Sequence, residues 1–325
     1  MNDILNARRL QVGYGNRVIS EDVSFDVAAG SYTAIIGPNA CGKSTLLRAI
    51  ARILPTSAGS VLLDGEDISQ MRTKHLAQRM GMLPQSSIAP DGIRVADLVA
   101  RGRHPHQRMF ERWSAHDEEA VIRALEATGT ADLSGRLVDE LSGGQRQRVW
   151  LAMVLAQETP VLLLDEPTTF LDVAHQYALL ELFRRLRDRL GWAIVVVLHD
   201  LNQAARYADQ LIVMKDGGIV ASGPRGDVIT ADLIEDVYGL PCRIVLDPET
   251  DTSVIVPLAG LDSACTCAGL AQLCLARTVE PGHGSGGALF FCRTISLEMT
   301  SWHRIHGARA PSLTSFRTGK PVRSW

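Results

Sequence analysis

The chain of 325 residues has no long apolar run. Crossing a bilayer as a helix takes roughly 18 to 20 such residues. The longest candidates, residues 161–164 and 193–198, are far shorter and read as buried strands. Residues 1–9 are mixed polar and lack an apolar signal-peptide core. The chain is therefore expected to stay in the cytoplasm, with any membrane role supplied by a partner. Charge of one sign is missing too. There are 33 Lys+Arg against 36 Asp+Glu, a net charge of -3, so a broad nucleic-acid-binding surface is not expected. Cysteine is sparse. Cys265, Cys267, Cys274 and Cys292 do not show the paired CxxC spacing of a zinc site, and structural disulfides are not expected in a cytosolic chain. No internal repeat is visible, so any functional unit occurs once.

What is present is ordinary globular material, 46% hydrophobic and 21% charged. Residues 10–14 and 18–27 read as strands joined by a turn at Gly13, Gly15 and Asn16. Residues 31–36 form an apolar strand, a glycine-containing loop follows, and a helix is expected from Lys43 to about Ile53. Residues 61–63 are another strand. From 75 to 130 the text reads as helical. Strands at 161–164, 193–198, 210–214 and 219–221 then alternate with helices at 173–190 and from Leu201. Alternation of this kind implies a largely parallel sheet covered on both faces.

Three motifs carry chemistry. Gly37-Pro38-Asn39-Ala40-Cys41-Gly42-Lys43-Ser44 matches GxxxxGK[ST] and lies between an apolar strand and a helix. Backbone N–H groups and a helix N-terminus favour phosphate oxygens there. Lys43 is expected to reach the β- and γ-phosphates and Ser44 to hold Mg²⁺. Ala40 stands at a position where positive φ would cost alanine roughly 1–2 kcal/mol. Second, the strand at 161–164 ends in Asp165-Glu166. Asp165 is placed to support Mg²⁺ and Glu166 to orient an attacking water. Alone, this could equally be a buried strand followed by a solvated acidic turn. Third, Leu141-Ser142-Gly143-Gly144-Gln145 opens a helix over 146–157. Ser142 is a natural N-cap, but capping does not account for two glycines and a glutamine.

With LSGGQ beside a phosphate loop and an apolar strand ending in Asp-Glu, the chain resembles the ABC ATPases over about residues 3–257. The resemblance implies an α/β fold: a P-loop NTPase core with a mixed sheet, an antiparallel N-terminal β-subdomain and an inserted helical subdomain at about 75–158. It implies that Tyr14 stacks on adenine and that Thr45, beside Ser44, belongs to the nucleotide-binding set. It also implies that Gln85 contacts Mg²⁺ and senses a membrane subunit. Asp172 would act across a dimer, and His199 would contact the γ-phosphate. The cofactors implied are ATP and Mg²⁺. The partners implied are a second copy, integral membrane permease subunits and a separate substrate-binding protein, with no nucleic acid. The location implied is peripheral, on the cytoplasmic face of the inner membrane.

Within that family, residues 99–107, 141–148 and 166–172 look most like ATPases of ferric-siderophore importers. Haem and vitamin B12 importers are close relatives. A soluble non-transport ABC protein and a catalytically dead binding module are the other readings. The first usually has two nucleotide units or a very long insertion. The second fits poorly with Lys43, Asp165, Glu166 and His199 all present. The pair His104 and His106 reads as a polar loop rather than an iron site, since only two ligands at i, i+2 are offered. The permease is expected to dock near Gln85 and residues 89–103, with Arg101 and Arg103 contributing charge. After about Leu258 the composition shifts to Ala, Gly, Ser, Thr, Cys and Arg. Residues 258–325 read as a disordered or atypical tail, dispensable for ATP hydrolysis.

Overall fold

The structure is a computed structural model that describes residues 3–107 and 113–258. The cysteine cluster and, beyond Leu258, the expected tail lie outside the described residues. Two long strands open the chain, β1 (Asp3–Tyr14) and β2 (Arg17–Ala28), followed by β3 (Tyr32–Ile36) and helix α1 (Lys43–Ile50). Then come β4 (Thr56–Leu63), β5 (Glu66–Asp67), α2 (Thr73–Ala77) and β6 (Met80–Leu83). A helical insertion carries α3 (Val95–Ala100), α4 (Ala115–Ala127) and α5 (Gly143–Ala156). The chain returns through β7 (Val161–Asp165), α6 (Val173–Leu190), β8 (Ala193–Val197), α7 (Leu201–Tyr207), β9 (Gln210–Lys215) and β10 (Gly218–Pro224). It ends in α8 (Arg225–Val228), α9 (Ala231–Tyr238) and the hairpin β11 (Cys242–Asp247) and β12 (Thr252–Pro257).

The first sheet is antiparallel, in the order β2-β1-β4-β5. The second runs β10-β9-β3-β8-β7-β6 and is parallel except for the β9–β10 edge. Its central strands are apolar because both faces are covered, and β8 is almost wholly β-branched. Side chains alternate between the faces. Tyr32, Ala34, Ile36, Ile194 and Val196 pack towards the helical insertion and α6. Ile35, Ala193, Val195 and Val197 pack towards α1 and the antiparallel sheet.

Two expectations from the sequence are corrected. The stretch 75–130 is not helical throughout, because β6 lies inside it and pairs with β7 from Met80↔Val161 to Leu83↔Leu164. Its residues, Met80-Gly81-Met82-Leu83, carry no β-branched signal, and the slot at the sheet edge overrides their local preference. The helical insertion therefore starts after this strand. The elements after β10, α8 to β12, were also not anticipated beyond residue 221.

The second correction concerns Arg103, expected as an exposed docking charge. It is 1% exposed. Its Nε donates to Asp117 Oδ1 at 2.9 Å, and its Nη1 to Ala156 O at 2.7 Å and Glu158 Oε2 at 2.8 Å. The guanidinium thus ties the end of α5 to the start of α4. Arg101 is exposed, as expected. Arg103→Ala would leave the Asp117 carboxylate buried without its cation. We expect a loss of about 3 kcal/mol or more, the range for breaking a buried pair. Urea unfolding of the two proteins measures it, and an Arg103→Ala protein of native stability would exclude this role.

Candidate nucleotide site

The four parallel strands β6, β7, β8 and β3 all end on one side of the sheet. Their following loops converge on a cavity of about 770 Å³. Open parallel sheets bind ligands at these carboxyl ends. Asn39, Ala40, Gly42, Lys43, Ser44 and Thr45 line one wall, and Gln85, Glu166 and His199 the other. Tyr14, 47% exposed, stands at the rim.

The loop after β3 takes its shape from backbone demands. Gly37 has φ of 152°, and a Cβ there would lie 2.2 Å from Met214 O, so no larger residue fits. Ala40 has φ of 62°, the left-handed conformation the sequence left as a condition, at a cost of roughly 1–2 kcal/mol. Lys43 is buried, and its Nζ donates to Gly37 O at 2.9 Å and Pro38 O at 2.7 Å. The ammonium is therefore held inside the loop before any anion arrives. Cys41 faces away from the cavity into the core below, and burial pushes its thiol pKa up.

Asp165 ends β7 fully buried. Ser44 Oγ donates to its Oδ1 at 2.7 Å, while Oδ2 is buried with no hydrogen-bond partner. Burial raises the Asp165 pKa above the ordinary aspartate value, and the nearby Glu166 charge adds to the rise. This orphan oxygen, the Ser44 hydroxyl and the side-chain carbonyl of Gln85 form an all-oxygen donor set, the chemistry a magnesium ion requires. Glu166 follows with φ of 51°. His199 Nε2 lies 2.5 Å from its Oε1, Gln85 Nε2 donates to its Oε2 at 2.7 Å, and Thr169 Oγ1 approaches Oε2 at 3.5 Å. His199 owes its place to the break between β8 and α7, where Asp200 caps the helix through the N–H groups of Asn202 and Gln203.

Ser142, Gly143, Gly144 and Gln145 are not brought to this cavity within one chain. They form the start of α5, with a capping box. Gln145 N donates to Ser142 Oγ at 3.3 Å and Ser142 N to Gln145 Oε1 at 3.1 Å. Both glycines lie in the first helical turn, one turn earlier than the helix expected from 146. Phe170, 74% exposed, packs beside Gly143. Asp172 is also apart from the cavity. It caps α6 and accepts from His175 N at 2.9 Å. His106 is spoken for, its Nε2 lying 2.7 Å from Gln157 O. Among the described residues no cluster of metal-ligating His, Cys, Asp and Glu exists.

Two cavity residues, and one beside the cavity, escaped the sequence reading. Arg17 and Ile19 line it from β2, and Thr169 approaches Glu166. A hairpin register from Tyr14 would have found Arg17, and an i, i+3 count from Glu166 would have found Thr169.

Comparison with known proteins gives a consistent picture. The ABC transporter family profile matches residues 20–169. The ferric enterobactin transport ATP-binding protein FepC of Escherichia coli (strain K12) is 52% identical over 254 residues, covering 78% of this chain and 94% of that protein. The iron(3+)-hydroxamate import ATP-binding protein FhuC of Bacillus subtilis (strain 168) is 46% identical over 250 residues, covering 77% and 93%. Among solved structures, an inward-facing ABC transporter of metal-chelate type superposes with a TM-score of 0.67 at 28% identity, covering 79% of this chain and 98% of that one.

The raised pKa of Asp165 fixes a sign. A folded-state pKa above the unfolded value means that ionised Asp165 costs stability once the pH rises above the unfolded aspartate range, and not below it. Asp165→Asn removes that cost while keeping an acceptor for Ser44. The nucleotide-free variant should melt higher than the native protein at pH 7 to 8, and the gap should close towards pH 4. A gap that is absent at pH 7, or grows on acidification, would contradict the assignment.

Proposed function

The chain belongs to the ABC transporter family of ATP-binding subunits, and from that premise we propose that it powers import of an iron(III)-siderophore through a membrane permease by hydrolysing ATP. The observation that carries the mechanism is the cavity at the strand ends, where Lys43, Ser44, Gln85, Glu166 and His199 meet. The substrate class rests on relatives at 45–52% identity whose names specify enterobactin, hydroxamate and petrobactin uptake.

On this reading Tyr14 stacks on adenine, and the backbone N–H groups of residues 37–45 cradle the phosphates with Thr45 at the helix start. Lys43 moves from the loop carbonyls to the β- and γ-phosphate oxygens. Ser44, Asp165 and Gln85 would hold Mg²⁺, which would supply neutralisation of phosphate charge when bound. Glu166, steadied by His199, Gln85 and Thr169, accepts a hydrogen bond from the attacking water and orients it. His199 then contacts the γ-phosphate. No step needs a covalent enzyme intermediate.

One chain leaves the nucleotide open on one side, because Ser142, Gly143, Gly144 and Gln145 point elsewhere. We assign these four residues, with Asp172, to the nucleotide of a second copy. The permease docks against the helical insertion near Gln85 and Arg101, on the cytoplasmic face of the membrane, and a separate protein delivers the siderophore. No helix among the described residues is long and apolar enough to cross a membrane, consistent with attachment through that partner.

Glu166→Gln keeps size and hydrogen bonding but removes the carboxylate. Phosphate release should fall by roughly 10²-fold or more, while ATP binding persists and an ATP-bound dimer accumulates on size exclusion. Lys43→Ala should lose nucleotide affinity and stay monomeric. Native-rate hydrolysis by Glu166→Gln would remove Glu166 from this role.

A further inference from the structure

One cation lining the nucleotide cavity, Arg17, has no part in the proposed hydrolysis. Arg17 opens β2 and lines the cavity together with Tyr14 and the phosphate loop. It is exposed, and among the described residues no carboxylate lies within ion-pair distance of it. Surface arginines commonly find a carboxylate or solvent, so position must decide whether this one has a task.

The hairpin fixes that position. Tyr14 and Arg17 are direct cross-strand partners around the Gly15-Asn16 turn. Directly opposed residues put their side chains on the same face, with Cβ atoms about 4.5–5.5 Å apart. The backbone leaves no latitude. A Cβ on Gly13 would lie 2.1 Å from Arg17 O, so the strands are pressed together where Arg17 begins. Ile19, two residues along on the same face of β2, marks the inner end. Its Cγ2 would lie 3.2 Å from a Cβ on Gly42, the residue before Lys43. The step from residue 19 to residue 17 is about 7 Å along the strand, away from the loop. Arg17 therefore stands level with the aromatic ring at the rim, one step out from the Ile19 contact with the loop at the base.

We infer that Arg17 is a nucleotide-positioning residue that pairs with the non-transferred phosphates, the α-phosphate first. This rests on the proposed ATP site. If Tyr14 takes the base and the loop around Lys43 takes the β- and γ-phosphates, the α-phosphate is the anion left beside β2. A guanidinium on a long stem reaches such an oxygen, and charge-assisted hydrogen bonds of this type are about twice as strong as neutral ones. The cavity's other fixed positive charge, Lys43, already has two carbonyl partners and lies deep in the loop. Of these two lining cations Arg17 is the one free to meet the nucleotide as it enters, while Arg48, outside the lining, donates to Tyr14 Oη at 3.5 Å. Because the α-phosphate is common to ATP and ADP, Arg17 should contribute to binding both and leave the hydrolytic step untouched.

The test uses the full chain and a fluorescent ATP or ADP analogue, with steady-state hydrolysis alongside. Arg17→Ala should weaken ATP and ADP binding by a similar factor of about ten, raise KM by that factor and leave kcat unchanged. Arg17→Lys, which keeps the charge, should recover most of the affinity. Equal affinity of Arg17→Ala and the native protein overturns the inference. So does a fall in kcat at unchanged KM, which would put Arg17 on the transferred phosphate. Weakening of ATP but not ADP would likewise exclude the α-phosphate. The Lys43→Ala protein separates failures: if the native protein binds no more nucleotide than Lys43→Ala, the ATP site itself is wrong. If it binds more while Arg17→Ala matches the native protein, only the role of Arg17 falls.

Discussion

Everything at the site depends on the parallel register of β3, β8, β7 and β6. Asp165 is opposite Val197, and Leu164 opposite both Leu83 and Val196. These pairings set the loops that follow at a common height. A one-residue slip would reverse every side chain on a strand. In β7 it would drive Asp165 away from Ser44 and break the only hydrogen bond its carboxylate makes among the described residues. The two buried faces of the sheet make such a slip prohibitive, because each strand would then exchange its neighbours in both cores at once. Apolar packing far from the cavity is what holds a serine hydroxyl 2.7 Å from an aspartate.

The site built on this frame is under tension. Ala40 and Glu166 both sit at positive φ, at 62° and 51°, and each such residue costs of order 1 kcal/mol or more. Asp165 is buried with one oxygen unsatisfied, and Lys43 occupies carbonyls that cannot follow it onto a phosphate. The positive φ values and the unsatisfied Asp165 oxygen cost stability in the nucleotide-free state. On the proposed reading, the unpaired Asp165 oxygen and the Lys43 ammonium are the groups that gain partners when an anion with a divalent cation enters. The strain marks where local preference yields to function.

The sequence showed this division unevenly. The phosphate loop, the strand ending in Asp165-Glu166 and the start of α5 were legible because each needs particular residues at fixed spacing. Strand β8 was legible because Ile194, Val195, Val196 and Val197 are all β-branched and His199-Asp200 closes the apolar run. Strand β6 was not. Met80-Gly81-Met82-Leu83 is strand only because an edge beside β7 is free to take it. Arg103 was misread for a related reason. Arginine is rarely buried unless paired, and its partners Asp117 and Glu158 are 14 and 55 residues away. The hairpin β11–β12 packs Cys242 and Ile255 into the main core, and it escaped because the rest of its anchor is one polar side chain. Asn202 of α7 exchanges hydrogen bonds with the backbone of Ile255, and no periodicity announces such a contact.

The same geometry links the helical insertion to the Glu166 carboxylate. The insertion leaves the core through Gln85 and returns through Gln157. Gln85 donates to Glu166 at one junction, and at the other Gln157 donates to the carbonyls of Ala77 and Met80 beside β6. Both contacts are side-chain hydrogen bonds rather than apolar packing, contributing about 1 kcal/mol for the Gln157 contact and about 1.5–3 for the carboxylate-bound Gln85, and both are exchangeable. The phosphate loop and Glu166 are embedded in the sheet, whereas Ser142 rides on α5 in the insertion. On the proposed reading, a permease that shifts the insertion would move Ser142 relative to a second copy's nucleotide. The same shift would pull Gln85 from Glu166. Closing the site and freeing its carboxylate would then be one motion, because the residue at the junction is also the carboxylate's hydrogen-bond partner.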